Sequence, residues 1–246
     1  MRDAAILTLV VLAAAGIAAQ DADARRQLAP TGALRAALNT GNSLTRSLGA
    51  ELSKELARRL GVEVVLREYP SPGAITDVAG KEWDIAFVAA DPDREDAMSF
   101  TAPYVELDAT YLVMGDSPIK ATADADRAGV TIATGATSAY TLVLKREIKR
   151  AELVFLGGGE AIQALQERRA HAIAGLRFNL LDTQKRVPGS RVLTDSFTRA
   201  QQAIAVPNGR PAALSYLGTF LQDMKRSGFV AKAIQKAGLA GATPAP

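Results

Sequence analysis

The run Trp83-Asp84-Ile85-Ala86-Phe87-Val88-Ala89 places five apolar residues in succession behind a single acidic one. Continuous apolar runs of this length are typical of strands that are buried on both faces, as in parallel sheets covered by helices. The polar pair Arg94-Glu95 and the segment Ser99-Phe100-Thr101-Ala102-Pro103-Tyr104 follow the run. The run therefore predicts a buried strand of an α/β protein.

Helices and further strands are predicted on both sides of this run. Leu48, Leu52, Leu56 and Leu60 recur every four residues, which predicts a helix that Gly61 ends as a C-terminal cap. Other helices are predicted from residue 139, over 160–169 and from 211 to 227. The remaining predicted strands are short apolar runs at 34–38, 62–67, 109–114, 129–133, 151–155, 170–176, 191–193 and 201–206.

This alternation of strands and helices predicts an α/β fold with mixed, mainly parallel sheets. Two α/β units of similar size follow one another without a Gly/Ser-rich linker, which predicts two lobes joined by crossing strands. We assign residues 30–114 and 201–241 to lobe 1 and residues 115–200 to lobe 2. The Ala/Pro-rich residues 242–246 are expected to form a disordered tail.

Residues 1–24 are predicted to be a signal peptide. Met1-Arg2 precede an uncharged apolar run that is shorter and richer in alanine than the ~20 strongly apolar residues of a membrane span. Small residues suited to a signal peptidase follow, with cleavage after Ala19 or after Ala24. The alternative is an uncleaved anchor helix. A signal peptide implies export to the periplasm, and the absence of cysteine suits that oxidising compartment.

The composition argues against several classes of function. Lys and Arg are scattered among acidic residues and the net charge is only +3, so nucleic-acid binding has little support. A single histidine, His171, and the lack of cysteine leave no metal-binding or nucleophilic constellation. The glycines at 157–159 are not followed by the Gly-Lys-Ser/Thr of a phosphate loop. We therefore predict a protein that is not an enzyme and that holds no metal or cofactor.

The motifs form an ordered set along nearly the whole chain. Asp84 lies in a D-x-A strand, Arg94-Glu95 follows, and residues 99–104 give the pattern F-S/T-x-P-Y. Agreement continues at 135–138, 161–172, 203–206 and 224–229. On these residues the chain resembles the family 3 extracellular solute-binding proteins, the polar amino-acid receptors of ABC importers. The resemblance implies a two-lobe α/β fold of the periplasmic binding protein type II, with two hinge strands and a ligand held between the lobes.

The resemblance also implies a function and partners. It implies a monomer that captures a small polar, carboxylate-bearing solute, amino-acid-like or an organic acid, and then docks on an ABC permease in the inner membrane. Two rivals on the same fold stay open. One is an enzyme similar to the cyclohexadienyl dehydratases, for which Asp91 is the one candidate acid. The other is a free-standing sensory receptor.

Arg94 is the main ligand anchor that the resemblance implies, because a guanidinium can meet a carboxylate through two parallel hydrogen bonds. The alternative is a surface arginine beside Glu95. The turn Gly135–Ser138 precedes a helix, so its free backbone N–H groups, with Thr137 and Ser138, suit an anion. The same residues also suit an ordinary helix cap.

One departure from the amino-acid receptors of this family bears directly on the ligand. Those receptors carry an aspartate for the ammonium group of the ligand, where this chain has Leu176. A buried ammonium facing a leucine would be unpaired, so standard α-amino acids are not the expected ligands. The neighbouring Arg177 is expected to supply a second cation, with a salt bridge to Asp182 or exposure to solvent as the alternative.

Asp91, Asn42 and Tyr104 complete the predicted site. The turn before Arg94 is shorter than the Thr/Ser-rich stretch that the resemblance implies, and in this register Asp91 is expected to face the cleft. Asn42 is predicted to provide a polar contact in the first lobe, with loop capping as the alternative reading. Tyr104 either lines the cleft or packs in the core.

Overall fold

The computed structural model describes residues 20–246. Its helices are α1 (residues 20–28), α2 (Ser43–Leu60), α3 (Pro72–Asp77), α4 (Ala139–Glu147), α5 (Gly158–Gln166), α6 (Arg177–Arg186), α7 (Pro211–Arg226) and α8 (Phe229–Ala237). Its strands are β1 (Ala33–Asn39), β2 (Glu63–Tyr69), β3 (Ile85–Ala89), β4 (Met98–Phe100), β5 (Val105–Met114), β6 (Thr131–Thr134), β7 (Glu152–Phe155), β8 (Ala172–Leu176), β9 (Ser190–Val192), β10 (Thr198–Pro207) and β11 (Ala242–Pro244).

The strands form one mixed sheet in the order β2-β1-β3-β10-β5-β8-β6-β7, with β4, β9 and β11 paired beside β10 and β5. Pairing is parallel within β2-β1-β3 and within β8-β6-β7. Pairing is antiparallel wherever β5 or β10 takes part. The α/β prediction is confirmed, but the sheet is mainly parallel only toward its two ends.

The long strands β5 and β10 connect the two ends of the sheet. Along β5, residues 105–109 pair with β10, whereas residues 109–112 pair with β8. Along β10, residues 198–202 pair with β5, whereas residues 202–205 pair with β3. The sheet therefore passes from its first half, around β1, to its second half, around β6, close to Ala109 and Gln202. The predicted lobe boundaries at 114/115 and 200/201 stay a prediction.

The helix α2 shows how the sequence builds these elements. Its leucines at 48, 52, 56 and 60 are buried against the sheet of the first half, as their spacing predicts. Asn42 caps its start, because the side-chain oxygen accepts a hydrogen bond from the Thr45 N–H. Gly61 ends it with φ 63°, a left-handed conformation that favours glycine.

The Trp83-Asp84 pair anchors β3 in the first half. The indole of Trp83 is fully buried and donates to the Ile75 carbonyl at 2.9 Å. The Asp84 carboxylate is also fully buried and accepts from Arg35 at 2.8 Å and Arg210 at 3.1 Å. Because a buried carboxylate needs such partners, this network ties β1, β3 and the start of α7 together.

The C-terminus differs from the sequence-based expectation. Residues 242–246 are not a disordered tail: β11 pairs with β5, and the Ala245 N–H donates to the Tyr104 carbonyl at 3.1 Å. The open edge of β5 offers backbone partners that the composition of the tail does not reveal. Of the predicted signal peptide, residues 1–19 lie outside the described residues. Residues 20–28 form α1, which buries Ala24 and Leu28.

Candidate functional site

A small cavity of about 50 Å³ lies at the seam between the two halves of the sheet. That volume has room for only a few water molecules. Both halves and the connecting strand β10 contribute to its wall. The lining residues are Asn39, Gly41, Asn42, Pro72, Val88, Ala89, Arg94, Ser138, Ala139, Tyr140, Leu176, Asn179, Ala200 and Gln202.

Arg94 is the one charged side chain among these lining residues. It ends a short 3₁₀ turn, Pro92–Arg94, that Asp91 begins by accepting a hydrogen bond from the Asp93 N–H. The guanidinium donates to the Ala89 carbonyl in the first half and, at 2.8 Å, to the Thr137 carbonyl in the second. Only 4% of Arg94 is exposed. Burial lowers the pKa of the guanidinium, and the nearby Asp91 and Asp93 offset part of that effect.

Four amide side chains line the same cavity as the arginine, and three of them accept hydrogen bonds through their oxygen atoms. Asn39 accepts from the Gly41 N–H at 3.0 Å, and Asn42 accepts from the Thr45 N–H at 3.0 Å. Gln202, on β10, accepts from the Thr45 hydroxyl at 3.2 Å. Asn42 and Gln202 are each 5% exposed. These contacts hold the amides in place against the cavity.

The starts of three helices also meet at the cavity. The residues that precede their first turns, Asn42 for α2, Ser138 for α4 and Leu176 for α6, all line it. None of the three helices has an acidic residue in its first turn, and neither Ser138 nor Leu176 caps its helix through a side chain. Helix starts carry partial positive charge on unpaired N–H groups, so they add to the positive potential of Arg94.

Polar contacts cross the seam beside the cavity. Arg146 of α4 donates to both carboxylate oxygens of Asp91, at 3.1 and 2.9 Å, and lies 3.3 Å from Asp93. The Asn179 amide donates to the Gly41 carbonyl at 3.4 Å. Together with Arg94, these groups join the two halves by hydrogen bonds that separation of the halves would break.

The structure brings three of the predicted site residues to the cavity wall, namely Arg94, Asn42 and Ser138. Thr137 does not line it and instead offers its carbonyl to Arg94. The prediction that Thr137 and Ser138 lie at a helix start is consistent with the geometry, because Ser138 immediately precedes α4.

The other three predicted residues lie elsewhere. Asp91 is turned away from the cavity because it pairs with Arg146. Tyr104 is 1% exposed and packs edge-on against Phe87 at 6.2 Å, so it belongs to the core. Burial raises the pKa of its hydroxyl.

Arg177 is likewise not available to a ligand. Its guanidinium donates to the carbonyls of residues 193–195 and to the Ser196 hydroxyl, and it lies 3.4 Å from Asp108. It therefore holds the 193–196 loop, and neither of the alternatives considered from sequence, Asp182 or solvent, describes its environment.

Gln202 and Asn179 also line the cavity, although they were not among the residues predicted from sequence. Gln202 precedes the apolar run 203–206, and a polar residue at the start of a buried strand was a signal that could have identified it. Asn179 lies in the first turn of α6, where nothing in the sequence distinguishes it from a surface residue.

Larger hollows, of about 560 and 450 Å³, lie at the outer surface beside Asp21, Arg59 and Tyr216, away from the seam. Within residues 20–246, no group of three or more His, Cys, Asp or Glu side chains is placed to hold a metal ion. Over the same residues, no helix has both the length and the apolar character needed to cross a membrane.

Solved structures share this architecture at low sequence identity. The receptor for L-cysteine of Neisseria gonorrhoeae has a TM-score of 0.72 and 18% identity, over 86% of this chain and 92% of the receptor. The L-arginine-bound substrate-binding protein AbpA of Streptococcus pneumoniae has a TM-score of 0.69 and 19% identity, over 85% and 96%. An ancestral amino-acid-binding protein, described as a precursor of cyclohexadienyl dehydratase, has a TM-score of 0.71 and 22% identity, over 86% and 97%.

These likenesses establish the two-lobe fold that the motifs predicted. A search of the curated proteins found no match. The model of the bacterial extracellular solute-binding proteins, family 3, matches residues 48–239, which is most of the chain and includes every residue of the cavity wall except those at 39–42. The chain therefore belongs to family 3 of the bacterial extracellular solute-binding proteins.

Proposed function

We propose that this protein captures a small carboxylate-bearing solute in the cavity at the seam and delivers it to the permease of an ABC importer. The observation that carries the proposal is Arg94, a buried guanidinium in a cavity with no carboxylate among its lining residues. A buried charge is costly, and Asp91 and Asp93 offset only part of that cost because neither forms an ion pair with Arg94. A carboxylate solute would supply the counter-ion and accept up to two charge-assisted hydrogen bonds.

Binding requires the halves to separate and close again. The cavity of about 50 Å³ is too small for a solute of more than a few atoms to enter or occupy without such a motion. Two long strands, β5 and β10, connect the halves, so bending at Ala109 and Gln202 would open the seam. The halves then close over the solute around a cavity wider than the one in this structure, with Arg94 and Arg146 again bridging the seam, and exclude water from the solute.

A role in binding is better supported than catalysis. The one acid considered for a dehydratase-like reaction, Asp91, is directed to Arg146 and does not line the cavity. Among the lining residues there is no His, Lys, Asp or Glu, and burial raises the pKa of the one lining phenol, Tyr140, away from the neutral range that general acid–base catalysis uses. We therefore propose a receptor without catalytic activity.

The proposed setting is the periplasm, with the solute-loaded protein acting as a monomer on a permease of the inner membrane. The family and its solved members, which include substrate-binding proteins of amino acid ABC transporters, support this setting. A sensory receptor that presents the same closed form to a signalling partner would use the same cavity.

A thermal-shift screen tests the proposal. The purified protein is heated with carboxylates of increasing size, and with neutral sugars and polyols as the matched set without charge. A ligand at about a hundred times its Kd stabilises the folded state by about 2.7 kcal/mol and raises the melting temperature accordingly. We expect shifts with some carboxylates and none with the neutral set. Shifts with the neutral set alone would contradict the proposal.

A further inference from the structure

Three of the four amide side chains at the cavity, those of Asn39, Asn42 and Gln202, have their oxygen atoms occupied and their nitrogen atoms free, whereas Asn179 donates through its nitrogen to the Gly41 carbonyl. The Asn39 and Asn42 oxygens accept from the backbone N–H groups of Gly41 and Thr45. A backbone N–H can only donate, so these contacts determine which end of each amide is the oxygen. The Gln202 oxygen accepts from the Thr45 hydroxyl. Within the described chain, no hydrogen bond to a protein acceptor uses the amide nitrogens of these three residues, which leaves their N–H donors for the cavity.

The backbone oxygens around the cavity are also engaged. Arg94 donates to the carbonyls of Ala89 and Thr137, and Asn179 donates to the carbonyl of Gly41. The wall thus offers several free donors, and its side-chain acceptors are the Asn179 amide oxygen and the hydroxyls of Ser138 and Tyr140, none of which carries a negative charge. The unpaired N–H groups at the starts of α4 and α6 add further donors.

The electrostatic potential of the cavity is positive, which also suits an anion. Arg94 is positive and 4% exposed, three helices begin at the cavity wall, and no lining residue is acidic. The carboxylates that act on Arg94, those of Asp91 and Asp93, both pair with Arg146 and do not line the cavity. Leu176, 6% exposed, occupies the wall with an apolar side chain.

We infer that the ligand is a carboxylic acid without an ammonium group, an organic acid and not an α-amino acid. This inference rests on the proposed function. An ammonium would bring three more donors and a second positive charge into a cavity that already has both, and no carboxylate would neutralise it. A deaminated acid brings acceptors only, which match the free N–H groups of Asn39, Asn42 and Gln202. The solved relatives that bind L-arginine and L-cysteine thus differ from this chain in ligand class.

Matched pairs of ligands test this inference by calorimetry on the intact protein. Each pair consists of an L-amino acid and the same acid without its amino group: aspartate and succinate, glutamate and glutarate, alanine and propionate, phenylalanine and 3-phenylpropionate. We expect the deaminated member of the best-binding pair to bind at least about tenfold more tightly. Tighter binding of the amino acid overturns the inference and leaves the proposed function standing. Binding of neither member in any pair overturns both.

A substitution in the wall gives a second test. Leu176→Asp adds a carboxylate to the cavity, and Leu176→Asn adds a side chain of the same shape without charge. We expect Leu176→Asp, but not Leu176→Asn, to shift the preference of the best-binding pair toward the amino acid by about tenfold or more. Equal effects of the two variants would overturn the charge argument. Thermal unfolding verifies that each variant is folded. If a variant is not folded, the comparison of the ligand pairs on the wild-type protein decides whether the inference holds.

Discussion

Gly73 and Thr137 face each other across the seam at a distance that leaves no room for one more methyl group. A Cβ on Gly73 would lie 2.7 Å from Thr137 Cγ2, 3.1 Å from its Cβ and 3.3 Å from its Oγ1. Rotation of the threonine side chain moves Cγ2 but leaves the contact between the two Cβ atoms. Gly73→Ala should therefore oppose closure of the seam.

The expected cost follows from overpacking. Forcing a methyl group into a close-packed contact costs about 1–3 kcal/mol, so affinity should fall by about fivefold to about a hundredfold. Gly73 is the second residue of α3, where alanine favours the helix by up to about 1 kcal/mol. The variant should thus unfold at the same or a higher denaturant concentration while it binds solute more weakly. These opposite signs separate an effect on closure from an effect on folding.

Calorimetry with the best carboxylate from the thermal-shift screen provides the assay. Gly159→Ala is the matched control, because Gly159 is the second residue of α5 and no atom lies within 4 Å of the Cβ it would gain. Thr137→Ser removes Cγ2, so the double variant Gly73→Ala with Thr137→Ser should recover part of the affinity. Wild-type affinity in Gly73→Ala, or an equal loss in Gly159→Ala, would refute the closure mechanism.

Three further predictions concern other contacts. Asp91→Asn and Arg146→Gln, combined in a double-mutant cycle, should show a coupling of about 1 kcal/mol in solute affinity. The expected value is modest because Asp91 is buried but Arg146 is 43% exposed. A coupling near zero would mean that the pair does not hold the seam. Arg177→Ala should lower the free energy of unfolding by about 2 kcal/mol in urea titrations, because the substitution frees the 193–196 loop. A larger effect on solute affinity than on stability would count against a purely structural role for Arg177. Arg58 and Arg59 lower the pKa of Glu55 to about 2. Glu55→Gln should therefore be less stable than wild type at pH 7, and this difference in unfolding free energy should shrink as pH falls from about 4.5 toward 2. A difference that grows toward acid pH would contradict the stabilising role of the Glu55 carboxylate.

The fold was predictable because its signals are local and repeated. The leucine spacing of α2 and the apolar run of β3 each indicate the element that forms. The pairing of β11 with β5 was not predictable, because it depends on an open strand edge about 140 residues away in sequence, and Ala/Pro-rich segments carry no signal for such a partner. The same limit applies to the antiparallel centre of the sheet.

The site was predictable only in part. Arg94 was identified through its motif, and Asn42 and Ser138 through their positions at turns. The sequence indicated the charges of Asp91 and Arg177 but not their partners. Asp91 pairs with Arg146, and Arg177 donates hydrogen bonds to the 193–196 loop, in both cases away from the cavity. Such pairings join elements that are distant in sequence, so only the assembled structure determines which charges remain free for a ligand.

The central claim is that the carboxylate of a solute meets Arg94 between the two halves. Calorimetric titration of Arg94→Ala with the best carboxylate tests it most directly, with Arg177→Ala as the control for loss of a nearby arginine. Loss of the guanidinium should weaken binding by at least about thirtyfold, since a buried charge pair is broken, and Arg177→Ala should change affinity far less. An Arg94→Ala variant that is folded and binds the carboxylate as tightly as wild type would contradict the account.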